Sequence, residues 1–232
     1  MKPNDTFRFK RFVLNQSGAG LKVNTDGVLL GALADSDIVG SILDIGTGTG
    51  LIALMLAQRF SSATITAIEP DLTSYALAKK NFRHSPWPGR IKLFRVTLQN
   101  FNPKNRFDLI VSNPPFSGKA QGQARNRARN PVFLPVEDIF RYADVFLNPS
   151  GSLWLIWPSD KKNVLLDAAY RYELFPSVQI DVRDNSQATV RRQIWCFVPD
   201  HKRSFRHECL VMFDREGNFT KEFASLVENF YI

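Results

Sequence analysis

Ser41-Ile42-Leu43-Asp44-Ile45-Gly46-Thr47-Gly48-Thr49-Gly50-Leu51 is the stretch on which the fold turns. A short apolar strand, Ser41 to Ile45, runs into three glycines at alternate positions, and a helical pattern, Leu51 to Arg59, follows. Glycines at a strand-to-helix turn reach backbone angles that side chains resist. Their bare backbone also lets a ligand approach the helix N-terminus. A nicotinamide fold would use Gly-x-Gly-x-x-Gly to hold pyrophosphate. Here the spacing is Gly-x-Gly-x-Gly, preceded by Asp44. A carboxylate there repels pyrophosphate and suits a cationic amino acid moiety or a sulfonium.

Outward from this loop, strand and helix patterns alternate. Thr64 to Ile68 reads as a strand closed by Glu69-Pro70, and Leu72 to Phe82 as a helix with Asp71 near its start. Strands are expected at Ile91 to Val96, Phe107 to Val111 and Ser152 to Trp157. Helices are expected at Val136 to Phe146 and from Ser159 to about Tyr172. Such alternation implies a mostly parallel sheet with helices on both faces. The ending differs: Val178 to Val182 and Arg192 to Val198 are joined only by the polar link Arg183 to Val190, so they should pair antiparallel. The fold class is therefore α/β and Rossmann-like, with seven strands and a C-terminal antiparallel hairpin. Lys221 to Phe230 reads as a last amphipathic helix. Ahead of the loop, Thr6 to Leu14 alternates Phe7, Phe9 and Phe12 with cations, and Thr25 or Asp26 can cap a short helix, Val28 to Ala34. Residues 1–35 are expected to form an arm and helix packed on one globular domain, 36–232.

The chain has 232 residues, enough for one large α/β domain. It contains no run of ~18 apolar residues that would cross a membrane, and its N-terminus lacks the apolar segment of a secretory signal. Cys196 and Cys209 have no metal-like spacing, so no metal is expected, and a reduced cytoplasmic setting is the simplest reading. The net charge of +8 makes a polyanionic partner plausible, nucleic acid first. No obligate protein partner is implied, and a monomer is expected.

Asn113-Pro114-Pro115-Phe116 follows the strand Phe107 to Val111. An aromatic or amide amino nitrogen is a poor nucleophile, because its lone pair is conjugated. Two acceptors aimed at the amino hydrogens localise that pair and stabilise the positive charge that develops on nitrogen. The Asn113 side-chain oxygen can be one acceptor. The Pro114 carbonyl, held by two rings of fixed φ, can be the other. Phe116 can stack on a base and keep it in line. Beyond it, Lys119 to Arg129 carries Lys119, Arg125, Arg127 and Arg129, with no carboxylate. It reads as a lid that pairs with RNA phosphates. Arg191 and Arg192 could extend that basic surface, or protect an exposed strand edge.

The Asp44 loop, Glu69 and the terminal hairpin together resemble class I methyltransferases over roughly Ile42 to Phe197. That resemblance implies S-adenosylmethionine as cofactor and S-adenosylhomocysteine as product. Asp44, Gly46, Gly48 and Gly50 would line the methionine side, and Glu69 would hold the ribose hydroxyls. The acidic residue that many relatives place against the adenine is missing from Arg95-Val96-Thr97-Leu98-Gln99-Asn100, so Thr97, Leu98 or a backbone amide would serve. Phe9-Lys10-Arg11-Phe12, Gln16 and Leu21-Lys22-Val23-Asn24-Thr25-Asp26-Gly27-Val28-Leu29-Leu30 resemble the opening of a narrower family. These are the bacterial methyltransferases that modify adenine beside the anticodon of a valine tRNA. By that resemblance Lys22, Thr25 and Asp26 lie near the cofactor's methionine end, Asn113 touches both cofactor and substrate, and tRNA is the partner. Methylation of guanine amino groups in ribosomal RNA, or of a release-factor glutamine, would use the same Asn-Pro-Pro-Phe chemistry. An RNA-binding module with a vestigial pocket is the alternative that involves no enzyme.

Overall fold

In the computed structural model, which describes residues 5–19, 22–115 and 134–232, the glycine loop joins a strand to a helix as its sequence predicts. The chain opens with an antiparallel hairpin, β1 (Thr6–Arg8) and β2 (Val13–Asn15), and helix α1 (Thr25–Leu33). Then come β3 (Ser41–Ile45), α2 (Leu51–Arg59), β4 (Thr64–Ile68), α3 (Leu72–Arg83), β5 (Ile91–Phe94) and β6 (Phe107–Ser112). The remainder is α4 (Val136–Phe146), β7 (Leu147–Pro158), α5 (Lys162–Arg171), β8 (Phe175–Asn185), β9 (Arg192–Val198), β10 (Arg206–Phe213) and α6 (Lys221–Val227).

Among the described residues the main sheet has the order β10-β8-β9-β7-β6-β3-β4-β5. β3 pairs parallel with β4 and β6, while β9 runs antiparallel between β7 and β8. The expected hairpin partnership is therefore present. The sheet has eight strands rather than the expected seven, because β10 adds to the edge of β8 in parallel. Its first half, Arg206-His207-Glu208-Cys209, is exposed, and only Leu210 and Met212 are buried apolar residues. A strand whose first half faces water lacks the apolar alternation that reveals strands in sequence.

Helix α1 also begins earlier than predicted. Its cap is Asn24, whose side chain accepts the Gly27 N–H at 2.8 Å, and Thr25 and Asp26 are already helical. An asparagine oxygen at this position satisfies one of the orphan donors of the first turn.

Each face of the sheet carries its own core. One lies under α1, α2, α3 and α6 and takes in Phe9, Phe12 and Leu14 from the N-terminal segment; the other lies under α4 and α5. Ile42 and Leu43 of β3 and Leu109 and Ile110 of β6 are fully buried. Each such side chain contributes roughly 1.5–3 kcal/mol by leaving water. The strands that bear the two sequence signatures are thus firmly held. Among the described residues, no helix is long and apolar enough to cross a membrane.

Candidate active site at the strand switch point

From β3 the chain steps outward through β4 to β5, then returns to β6 on the other side of β3. In such sheets ligands bind beyond the carboxyl ends of the strands where the order reverses. Ile45 of β3 lies in register with Ile68 of β4 and with Ser112 of β6. The next residues in the three strands are Gly46, Glu69 and Asn113, so they emerge in one row, strand spacing being roughly 4.8 Å. Both signatures foreseen in the sequence open onto this crevice.

The glycine loop is stitched to its neighbour. Gly46 and Thr47 both donate their N–H to the Ile68 carbonyl at 3.0 Å. The Gly48 N–H donates to Glu69 Oε2 at 2.9 Å, and the Asp71 N–H to Glu69 Oε1 at 2.9 Å. Glu69 is 7% exposed, and burial raises its carboxyl pKa while these two amides oppose the rise. Each oxygen keeps a second lone pair, so the carboxylate can still accept the two hydroxyls of a ribose.

Gly46 and Gly48 have left-handed φ values of 70° and 58°, with open space where a Cβ would stand. Gly50 shares the left-handed φ, at 89°, and a Cβ there would in addition collide with the Phe82 ring of α3. The third glycine is required by backbone angle and helix packing together, whereas the first two leave bare backbone beside the crevice.

Asp44 is fully buried. The Thr47 hydroxyl donates to its Oδ2 at 2.6 Å; among the described residues Oδ1 has no partner of hydrogen-bond geometry, the Ala53 amide lying near without completing one. Burial pushes its carboxyl up to about 7; the Thr47 bond and the nearby Ala53 amide oppose the shift, and Glu69 adds to it. A buried acceptor without a donor is costly. A ligand that brings an ammonium group to this end of the crevice fits that vacancy in chemistry and sign. The set of groups therefore suits a nucleoside that carries an amino acid: Asp44 for the amine, Gly46 and Gly48 for close approach, Glu69 for the sugar.

Asn113 is half-buried, and its carboxamide has no partner among the described residues. Pro114 is buried and Pro115 exposed. Ser112 holds this strand end in place, its hydroxyl donating to the Ile45 carbonyl at 3.0 Å. Thr97 is half-buried, while Leu98 is buried in the core under α4, close to the end of β5. Thr25 is half-buried at the start of α1, and Lys22 is exposed. Arg191 is exposed. Arg192 is instead engaged, with Asp26 at 2.7 Å and Asp184 at 3.1 Å. Phe116, Lys119, Arg125, Arg127 and Arg129 lie outside the described residues.

Two further supports were not foreseen. Thr47 could have been read from its place three residues after Asp44. Asn81 carried no local signal, yet from α3 it donates to the carbonyls of Asn15 at 2.9 Å and Thr49 at 2.8 Å and accepts the Asn15 N–H at 2.8 Å. It clamps the glycine loop to the N-terminal segment.

Comparison with known proteins agrees with this geometry. Residues 22–172 match the family described as Methyltransferase small domain. A solved structure of a predicted O-methyltransferase from Agrobacterium tumefaciens superposes with a TM-score of 0.72 at 18% identity, covering 88% of this chain and 96% of that one, and so shares the fold. The tRNA1(Val) (adenine(37)-N6)-methyltransferase of Porphyromonas gingivalis is 40% identical, covering 99% of this chain and 96% of its own. Those of Flavobacterium psychrophilum and Pedobacter heparinus are 37% and 34% identical, with 97% and 98% of this chain covered and 99% and 98% of theirs. The chain belongs to the Methyltransferase small domain family and, within it, to the family of the tRNA1(Val) (adenine(37)-N6)-methyltransferases.

Proposed function

We propose that the protein transfers a methyl group from S-adenosylmethionine to the exocyclic amino nitrogen of adenine in tRNA, at position 37 of tRNA1(Val), in the bacterial cytoplasm. The observation that carries this reading is the single row of Gly46, Glu69 and Asn113 at the strand switch point. In this reading the glycine loop, which takes the cofactor, stands beside the residue assigned to the amino group. The names of the relatives supply the tRNA and the nucleotide.

When bound, S-adenosylmethionine supplies an electrophilic methyl on a positively charged sulfur. The protein's own part is binding and orientation. Asp44 accepts the ammonium, Glu69 the ribose hydroxyls, and Thr97 and Leu98 flank the adenine side. The Asn113 side-chain oxygen and the Pro114 carbonyl accept the two amino hydrogens of the target base, which localises its lone pair. Once methylated, that nitrogen is strongly acidic and loses a proton to water, so no general base is needed. Phe116 is assigned the stacking role. Lys119, Arg125, Arg127, Arg129 and Arg191 are assigned to RNA phosphates. A loop base is already largely unpaired, so presenting it avoids most of the few kcal/mol that flipping from a duplex requires.

The test is incubation with tRNA and methyl-labelled cofactor, followed by digestion to nucleosides. Label is expected in N6-methyladenosine, and label in any other nucleoside rejects the substrate. Asn113→Ala should lower kcat at least 100-fold, about 2.7 kcal/mol of transition-state stabilisation, with cofactor affinity nearly unchanged. Wild-type turnover in that variant would remove Asn113 from the chemistry.

A further inference from the structure

We infer that Arg192 is a positioning residue for the cofactor cleft: by gripping Asp26 it holds the start of α1 against the glycine loop. The inference rests on the methyltransferase reading above. Arg192 Nε lies 2.7 Å from Asp26 Oδ1, and Nη2 lies 3.1 Å from Asp184 Oδ1. The side chains of Arg192 and Asp26 are each 24% exposed, whereas that of Asp184 is 56% exposed. The Asp26 contact, a close ion pair without hydrogen-bond geometry, is therefore the more shielded from water, and the hydrogen bond to Asp184 the more screened.

The ion pair joins two distant segments at one rim. Arg192 stands opposite Pro158 at the end of β7 and Val182 of β8, on the same sheet edge as Asn113. Ser159 pins the start of β9 there: its N–H donates to the Arg191 carbonyl at 3.1 Å and its hydroxyl to the Val190 carbonyl at 2.6 Å. On the other side, Asp26 lies in the first turn of α1, next to Gly27. A Cβ on Gly27 would stand 3.0 Å from Leu51 Cδ2, and Leu51 is the residue that follows Gly50. Contacts thus run unbroken from the β8–β9 hairpin through Arg192, Asp26 and the first turn of α1 to the glycine loop.

Removing the guanidinium takes away the charge that favours the Asp26 anion, and leaves burial first, and the neighbouring Asp184 second, to disfavour it. The Asp26 side chain would then turn toward water and take the first turn of α1 with it. The loss should appear in cofactor affinity rather than in the methyl-transfer step.

The test is calorimetry with S-adenosylhomocysteine alone, without RNA, on the wild type, Arg192→Met, Asp26→Asn and the double variant. Each single change should weaken binding about tenfold, and the double change should cost no more than either, as for residues that act through one contact. Turnover at saturating cofactor should stay within about threefold of wild type, the pattern of lost binding that is uniform between ground and transition states. Wild-type affinity in Arg192→Met, additive losses in the double variant, or a loss confined to kcat would each overturn the inference. The wild type offers a measurement that needs no substitution. S-adenosylhomocysteine should slow amide exchange both at residues 25–28 and at the start of β9, and protection confined to the glycine loop would overturn it. If the wild type fails to bind S-adenosylhomocysteine at all, the methyltransferase reading itself falls.

Discussion

Asp44 carries two opposed pH dependences. Its pKa in the folded chain is raised from 3.8 to about 7, chiefly by burial. Accepting an ammonium requires the anion. Below about pH 7 each further unit should therefore weaken S-adenosylhomocysteine binding roughly tenfold. Calorimetry at pH 8, 7 and 6 reads this, and a flat profile would show that the carboxylate does not meet the amine. The contribution of Asp44 to stability without cofactor has the opposite sign. A carboxyl whose folded pKa is raised contributes stability that is fully present below its ordinary value and is lost as pH rises through about 7. Glu69 is a second case of double duty in the proposed reading, since it accepts two backbone amides besides the role assigned to it at the sugar. Glu69→Gln turns one acceptor into a donor aimed at another donor. Cofactor affinity should fall by about 2–3 kcal/mol, the scale of hydrogen bonds to charged groups; binding within twofold of wild type would detach Glu69 from the cofactor.

At the scale of elements, the site depends on how the N-terminal segment is fastened. α1 meets α2 at Gly27 and Leu51, and Asn81 of α3 ties β2 to the loop through Asn15 and Thr49. Asn81 is 3% exposed and its bond to the Thr49 carbonyl is buried, so that carbonyl has little water to turn to. Asn81→Ala should cost about 2–3 kcal/mol, from backbone groups left unpaired. In a domain of this size that corresponds to a Tm lower by on the order of 4–12 °C. Scanning calorimetry decides it, and an unchanged Tm would mean that the clamp is dispensable.

For the whole molecule, the relevant quantity is the uneven charge. The segment Lys119 to Arg129 holds four cations and no carboxylate. Arg192, by contrast, is already matched by Asp26 and Asp184. Neutralising Arg125, Arg127 and Arg129 together to glutamine should weaken tRNA binding and make its slope against log salt shallower by about 2–3, near one per lost phosphate contact. Titrations across a salt series would measure this. An unchanged slope removes these arginines from the RNA interface.

The sequence by itself determined the alternation of strands and helices, the glycine turn, Glu69 at a strand end and Asn113 at another. Those features rest on periodicity and turn chemistry within a dozen residues, which local backbone preferences already express. Only the tertiary structure decided that β10 joins the edge of β8, that the Phe82 ring packs against Gly50, that Asn81 clamps the loop, and that Arg192 pairs with Asp26. Each of these depends on which distant segments the sheet register brings side by side. A side chain's partner across such a gap is set by packing, and nothing in its immediate neighbours names it.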